Sequence, residues 1–204
     1  MAEPSMICAL VLAAGRSRRM GTQKLLLPLG GQPVIARVVD TLLRCPLREV
    51  FLVVGADADG IKQALAGRRV NFVPNPAVED DMLSSVRCGL RAMPAEADAV
   101  LVVLGDQPAL SAQVVSAMLD AFARTRARLV VPVFHGARGH PLLLSTCYRD
   151  ELLTGHERVG LRGLLQAHPD AVLEVSVPDA AVLDDLDTPE DYQRALAGEP
   201  MRNR

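Results

Sequence analysis

The segment from Leu12 to Lys24 carries side chains that could bind a polyphosphate. It reads L-A-A-G-R-S-R-R-M-G-T-Q-K, so Gly15 and Gly21 enclose three arginines and Lys24 follows them. Glycine lets a backbone turn sharply and approach a ligand closely, and backbone N–H groups beside guanidinium groups suit phosphate oxygens. Cations placed this closely after an apolar run, Met6–Val11, repel one another unless an anion is bound. The pattern indicates a nucleotide site, and its simpler interpretation is a solvated basic turn.

The spacing within this segment excludes two common phosphate-binding loops. A Walker A loop has four residues between its glycines and then Lys-Ser or Lys-Thr directly. Here five residues separate Gly15 from Gly21, and Thr22 and Gln23 precede Lys24. The dinucleotide fingerprint G-x-G-x-x-G is also absent from the sequence.

Carboxylates in two later segments could hold a hard cation. The segment G-D-Q-P at residues 105–108 follows an apolar run and contains Asp106. A second acidic segment, Leu183–Tyr192, contains Asp185 and Asp187. Mg²⁺ needs only one or two carboxylates, because it keeps several of its waters. In both segments the alternative is a structural role, since Asp commonly caps turns and helix N-termini.

The composition is typical of one α/β domain with an aliphatic core. The chain has 204 residues, 50% of them hydrophobic but only 3% aromatic, and its formal net charge is −2. This charge gives no indication of nucleic-acid or membrane binding. The four cysteines form no C-x-x-C pair, so free thiols in a reducing compartment are expected. With no signal-peptide pattern and no membrane-length apolar run, we expect a cytoplasmic protein.

Apolar, strand-like runs alternate with helix-like stretches along most of the chain. The predicted strands are Met6–Leu12, Val50–Val54, Val70–Val73, Ala99–Leu104 and Arg128–Val133. The predicted helices lie near Val34–Leu43, Ile61–Ala66, Met82–Ala92 and Ala112–Ala123. This alternation predicts an α/β fold with a doubly wound, mostly parallel sheet. Ligands bind beyond the C-terminal ends of such strands, so the loops after Leu12 and Leu104 should open on the same side.

The remainder of the chain departs from this alternation. From Phe134 to about Ser176, glycines and prolines predict a small inserted region with a hairpin and short helices that covers the substrate. A final helix near Pro189–Leu196 is expected to close the domain, with Thr188 as its N-cap, and a disordered tail should begin at Gly198. We therefore expect a single domain over residues 1–204. Its nucleotide-binding half is expected at about 6–133 and its acceptor half at about 134–197.

The pattern L-A-A-G-x-S-x-R-M-G-x-x-K, at residues 12–24, resembles the signature loop of the MobA-like nucleotidyltransferases. Later segments match that family in order: N-P at residues 75–76, S-S at 84–85, G-D-Q-P at 105–108 and D-L-D-T-P-E-D at 185–191. The element R-G-H-P at residues 138–141 is similar to the branch that acts as molybdenum cofactor cytidylyltransferases. The resemblance covers nearly the whole chain and implies a Rossmann-like nucleotidyltransferase fold.

The resemblance also implies a role for each matched residue. The implied nucleotide-binding residues are Leu12, Ala13, Ala14, Gly15, Arg16, Ser17, Arg19, Met20, Gly21, Lys24, Asn75, Ser84, Ser85, Gly105 and Asp106. The implied catalytic residues are Arg19, Lys24 and Asp106, and the implied ligands of Mg²⁺, for which Mn²⁺ could substitute, are Asp106 and Asp187. The acceptor substrate is expected to contact Arg138, Gly139, His140 and Pro141. Helix capping remains the alternative for the two serines, and a surface hairpin turn the alternative for the histidine.

The implied reaction moves CMP from CTP to the phosphate of molybdopterin, or of the molybdenum cofactor, with release of pyrophosphate. Arg19 and the loop amides would hold the β- and γ-phosphates, and Lys24 would contact the α-phosphate or the attacking phosphate. The choice of base depends on one methyl group: L-A-A-G accompanies cytidylyltransferases and L-A-G-G accompanies guanylyltransferases. Ala14 would crowd a purine and leave room for a pyrimidine.

Several other functions remain open on the sequence alone. One is a guanylyltransferase for the same cofactor, against which the R-G-H-P element and Ala14 argue. Another is a cytidylyl- or uridylyltransferase for a sugar or polyol phosphate, which would share the first loop and the metal aspartates and differ in the region from Phe134 to Ser176. A non-catalytic carrier could instead deliver the pterin to a molybdenum hydroxylase or to its chaperone. An oxidoreductase is the least favoured alternative, because no flavin or nicotinamide fingerprint is present.

Overall fold

The structure of the protein, a computed structural model, describes residues 5–15, 20–56, 58–77, 82–125, 127–157 and 159–198. Arg16, Ser17 and Arg19, expected to bind nucleotide, lie outside the described residues, as does the chain from residue 199 onward. Within the described ranges, no helix has the length and apolar character needed to cross a membrane.

A mostly parallel sheet forms the centre of the molecule. Its strands are β1 (Ile7–Ala13), β4 (Val50–Val54), β5 (Asn71–Pro74), β6 (Ala99–Leu104), β7 (Leu129–Phe134), β8 (Ala137–Arg138), β9 (Leu142–Ser145) and β10 (Val172–Ser176), and a separate hairpin joins β2 (Pro28–Leu29) to β3 (Gln32–Pro33). The strand order is β10-β7-β9-β6-β1-β4-β5, with β8 paired to β7. Parallel pairs join β1 to β4 and β6, β4 to β5, and β7 to β10.

Helices cover both faces of this sheet. They are α1 (Val34–Leu43), α2 (Ala58–Ala64), α3 (Met82–Ala92), α4 (Ala112–Thr125), α5 (Arg149–Thr154), α6 (Leu161–Ala167) and α7 (Pro189–Ala197). Alternate residues of β1 enter opposite cores: Ala9 and Val11 pack with α1 and α4, whereas Cys8 and Leu10 pack with α3 and α6. Burial on both faces explains why the strands are continuous apolar runs. The predicted α/β class and mostly parallel Rossmann-like sheet are confirmed.

Most helix predictions agree closely with the structure. The bounds of α1 and α3 are those predicted, and α2 begins at Ala58 rather than at Ile61. The predicted N-cap of α7 is confirmed, because Thr188 Oγ1 accepts the Asp191 N–H and the Asp191 carboxylate accepts the Thr188 N–H in a capping box.

The region from Phe134 to Ser176 differs from the expected covering insertion. It does form a short hairpin and helices, but β9 runs antiparallel between β6 and β7, and β10 extends the sheet beyond β7. The physical reason lies in the apolar residues of β9: Leu143 packs in one core, and Leu142 and Leu144 pack in the other. This region is therefore part of the central sheet as well as of the surface near the site.

Candidate functional site

The C-terminal ends of β1 and β6 lie side by side, as expected. Leu12 of β1 is paired with Leu104 of β6, and the Gly105 N–H donates to the Leu12 carbonyl at 3.1 Å. The loop that contains Ala14 and Gly15 therefore begins beside the turn that contains Asp106. This edge of the sheet positions the candidate site.

Lys24 lies between two carboxylates at this edge. Its Nζ is 2.5 Å from Asp106 Oδ2 and 3.1 Å from Asp187 Oδ1. The Lys24 and Asp106 side chains are 14% and 17% exposed, and that of Asp187 is 35% exposed. Asp106 and Asp187, the metal ligands implied by the resemblance, thus both contact the Lys24 ammonium, and their role in binding a metal stays a prediction.

Three local contacts bring these residues together. Lys24 begins a 3₁₀ turn whose next residue, Leu25, is buried in the core. The N–H of the buried Leu186 donates to the Asp106 carbonyl at 3.0 Å, which places the following Asp187 beside that turn. On α7, the Tyr192 hydroxyl donates to the Pro28 carbonyl at 2.6 Å and ties the helix to the hairpin that follows Lys24.

Charge is concentrated at this point of the molecule. Burial acts to lower the pKa of Lys24, but Asp106 and Asp187 outweigh it and hold that pKa above the ordinary value. Burial and the neighbouring charges of Asp187 and Asp106 raise the pKa of the Asp185 carboxyl. An excess of carboxylates over nearby described cations makes this edge attractive to a metal cation.

The expected acceptor residues are divided between the site and the neighbouring surface. His140 lies near Asp106, and its N–H donates to the Val182 carbonyl at 2.8 Å. The preceding residue, Gly139, is buried, and the peptide bond from His140 to the following Pro141 is cis. Arg138 forms an ion pair with a neighbouring strand: its Nε donates to Glu174 Oε1 on β10 at 2.7 Å, and both side chains are about half exposed.

The pKa of His140 lies below that of an ordinary histidine, so its side chain should stay neutral to a lower pH. Burial lowers its pKa from 6.5, and the charge of Asp106 offsets this only in part. The unfolded chain therefore binds a proton at His140 more readily than the folded protein does. Above the ordinary pKa of histidine this residue is neutral in both states. As the pH falls below that pKa, protonation favours the unfolded chain and the free energy of unfolding decreases. We expect His140→Gln to reduce the loss of unfolding free energy between about pH 7.5 and about pH 5.5. Urea unfolding at each pH measures this, and an identical pH dependence in the two proteins would contradict it.

Asn75, Ser84 and Ser85 meet one another where β5 joins α3. Asn75 Nδ2 donates to Ser84 Oγ at 2.9 Å and to Ser85 Oγ at 3.0 Å, and its Oδ1 accepts the Ala77 N–H at 3.0 Å. Asn75 and Ser85 are buried, whereas Ser84 is partly exposed. These bonds hold the turn after β5 in place, and contact with a base stays a prediction.

Gly55 is a site residue that the sequence analysis missed. A Cβ at Gly55, directly after β4, would lie 2.8 Å from the Ala14 carbonyl oxygen, and one at Gly105 would lie 2.8 Å from the Leu12 oxygen. The end of β1 and its loop are thus held closely between two glycines of the neighbouring strands. The signal that could have found Gly55 is its position directly after Val54, the last residue of a predicted strand. Leu12, Ala13, Met20 and Gly21 also belong to this segment, and Gly21 has a φ of +66°.

The donor set at the site suits Mg²⁺ or Mn²⁺. Among the described residues, no group of three or more His, Cys, Asp and Glu side chains is arranged to hold a metal ion. Asp106 and Asp187 nevertheless enclose one cation, the Lys24 ammonium, and their oxygens are the hard ligands that Mg²⁺ prefers. A site of two carboxylates requires further ligands from water or from substrate phosphates.

A doubly wound sheet with a lysine and two aspartates at its C-terminal edge is suited to binding a nucleotide and a metal ion. Residues 9–172 match the model of the MobA-like NTP transferase domain. The chain belongs to this family of nucleotidyltransferases.

Similar proteins support this assignment at the level of the family. The purine catabolism protein PucB of Bacillus subtilis is 34% identical over 194 residues, which cover 89% of this chain and 91% of PucB. The bifunctional protein GlmU of Sinorhizobium fredii is 36% identical over 120 residues, which cover 56% of this chain and only 26% of GlmU.

Solved structures share the fold over nearly the whole chain. Rv0371c of Mycobacterium tuberculosis is 28% identical with a TM-score of 0.84, covering 96% of this chain and 100% of that one. The same protein has also been solved as a complex with manganese. A nucleotidyl transferase from Methanothermobacter is 28% identical with a TM-score of 0.77, covering 95% of this chain and 97% of that one.

Proposed function

We propose that the protein transfers CMP from CTP to the phosphate of molybdopterin or of the molybdenum cofactor, releasing pyrophosphate. The observation that carries the proposal is the Lys24–Asp106–Asp187 group at the edge of a nucleotidyltransferase sheet. The choice of acceptor is supported by the R-G-H-P element, whose His140 lies near Asp106. The choice of CTP is supported by Ala14 in the first loop.

In the proposed reaction, an oxygen of the acceptor phosphate attacks the α-phosphorus of CTP. A new phosphorus–oxygen bond forms, the bond between the α-phosphorus and the bridging oxygen breaks, and the electron pair leaves with pyrophosphate. The attacking phosphate is already ionised at neutral pH, so no general base is required. Catalysis therefore depends on positioning and on neutralisation of charge.

We assign phosphate binding, charge neutralisation and metal binding to different residues of this chain. Arg19 and the amides of the first loop are assigned to the β- and γ-phosphates, and Lys24 is assigned to the charge that develops at the α-phosphate. Asp106 and Asp187 would hold Mg²⁺, or Mn²⁺, which would supply Lewis-acid neutralisation of phosphate charge. His140 is assigned a hydrogen bond to the acceptor phosphate, and the lowering of its pKa by burial favours the neutral side chain for that role.

The proposed halves of the domain follow the same division. The first, at about 6–133, contains the loop, Asn75, the two serines and Asp106. The second, at about 134–197, contains His140 and Asp187. We assign CTP to the first half and the pterin phosphate to the second, in a cytoplasmic enzyme that passes its product to a molybdenum hydroxylase or to its chaperone.

Pyrophosphate release tests the proposal directly. The protein, Mg²⁺ and molybdopterin are incubated with CTP, GTP, ATP or UTP, and each reaction is repeated without the acceptor. Release that requires both CTP and the pterin supports the proposal. Release with GTP would overturn the base assignment, and release with a sugar or polyol phosphate in place of the pterin would overturn the acceptor assignment.

Two further measurements address the choice of nucleotide and the non-catalytic carrier. We expect Ala14→Gly to increase the use of GTP relative to CTP, because it removes the methyl group that crowds a purine; an unchanged ratio would contradict this. Tight pterin binding without pyrophosphate release from any nucleotide would indicate the non-catalytic carrier instead.

A further inference from the structure

Lys24 occupies the space that a cation shared by Asp106 and Asp187 would need. Its Nζ contacts one oxygen of each carboxylate, at 2.5 Å and 3.1 Å. The lysine side chain is only 14% exposed, so water screens these contacts poorly. The ammonium thus offsets part of the negative charge of the two carboxylates and leaves a net negative charge at this point.

An ammonium and a divalent metal cannot both lie between these two carboxylates. The two cations would repel each other strongly at such short range, and they would compete for the same oxygens. The lysine side chain has a flexible four-carbon stem, so its charged end can move without moving the backbone. Because the buried Leu25 anchors the turn that follows, the ammonium can leave the carboxylates while its backbone stays in place.

We propose that Lys24 is an internal counter-ion of the metal site, and that metal binding displaces its ammonium from Asp106 and Asp187 toward the nucleotide phosphates. The proposal rests on the proposed function only in that these two carboxylates are the metal ligands. It adds a coupling: the lysine becomes available to the phosphates when the metal arrives. Lys24 and the metal are therefore competitors in the free enzyme and act together once substrate is bound.

Binding of Mn²⁺ to the enzyme without nucleotide tests the competition. Free Mn²⁺ is measured by electron paramagnetic resonance for the wild type, for Lys24→Met and for Lys62→Met. Lys62 is the chain's other lysine and lies on α2, half exposed beside Asp59, so it is a matched control. We expect Lys24→Met to bind Mn²⁺ about tenfold more tightly, because a charge-assisted contact no longer has to be broken. We expect Lys62→Met to match the wild type.

Chemical labelling of the wild type gives a second readout that does not depend on a variant. Acetylation of the two lysines is followed by mass spectrometry, with and without Mn²⁺ and with no nucleotide present. Displacement should expose Lys24, so Mn²⁺ should increase its labelling relative to Lys62. An unchanged or slower rate at Lys24 under Mn²⁺ saturation would overturn the displacement.

The outcomes distinguish this inference from the proposed function. Unchanged or weaker Mn²⁺ binding by Lys24→Met, with binding by the wild type intact, would overturn the counter-ion role alone. Failure of both the wild type and Lys24→Met to bind Mn²⁺ would overturn the assignment of Asp106 and Asp187 as metal ligands, and with it the proposed mechanism. Loss of binding on Asp106→Asn in the Lys24→Met background would confirm where the metal lies.

Discussion

Replacing Asp106 by Asn is expected to reduce nucleotidyl transfer by about 10²–10³-fold, the cost of losing one electrostatic contact to the transition state. The amide keeps the shape of the side chain but removes the charge that lies 2.5 Å from Lys24 Nζ. Both proposed roles of that charge, to bind metal and to hold the lysine, are then lost. Steady-state pyrophosphate release with CTP and the pterin measures the effect.

A matched control separates this effect from a general loss of charge. Asp120 lies exposed on α4, so Asp120→Asn should leave the rate unchanged. Asp106→Asn should still fold, because Lys24 keeps its contact with Asp187 at 3.1 Å and Asp185 loses a neighbouring like charge; the unfolding temperature checks this. A variant that folds normally and retains most of its rate would remove Asp106 from the mechanism.

Gly139→Ala should strongly destabilise the folded protein. A Cβ at Gly139 would lie 2.2 Å from the Val182 carbonyl oxygen, and a backbone atom cannot move aside as a flexible side chain can. Overpacking of this kind costs about 1–3 kcal/mol. The clash would also separate His140 from the Val182 carbonyl to which its N–H donates. We therefore expect a lower urea midpoint together with a loss of activity.

Gly15→Ala is the matched control for this substitution. A Cβ at Gly15 would meet no atom of the described residues within 4 Å, and the φ of Gly15 lies outside the left-handed region. Its urea midpoint should stay close to that of the wild type, whatever its effect on nucleotide binding. A wild-type midpoint for Gly139→Ala would show that the segment containing Val182 can shift without cost.

Features that depend on neighbouring residues were predictable from the sequence. The bounds of α1 and α3 follow from the spacing of their apolar residues, and the Thr188 cap follows from its position directly before Pro189. The adjacent ends of β1 and β6 follow from two apolar strands in a parallel sheet, each followed by a glycine-containing loop. These predictions require only the conformational preferences of neighbouring residues and the spacing at which apolar residues recur along a helix or strand.

The placement of β9 could not be predicted in the same way. A short apolar run such as Leu142–Ser145 is compatible with any strand position that is buried on both faces. Its antiparallel pairing with β6 and β7 depends on how the chain returns after the hairpin at β8. The ion pair of Arg138, an expected acceptor residue, with Glu174 on β10 also depends on strand pairing and had no local signal. Contact of Arg138 with the acceptor stays a prediction.

From residue types alone, the sequence predicted an alternating α/β chain with a cationic, glycine-bounded loop and acidic segments that suit a polyphosphate and a hard cation. The nucleotidyltransferase class followed from the resemblance of these motifs, in their order along the chain, to the MobA-like family. Only the tertiary structure decided that Lys24 lies between Asp106 and Asp187. Lys24 and Asp187 are 163 residues apart, and the Leu186–Asp106 backbone hydrogen bond and the packing of α7 bring them together. No local pattern specifies such a contact, since the free energy that holds it comes from elements distant in the chain.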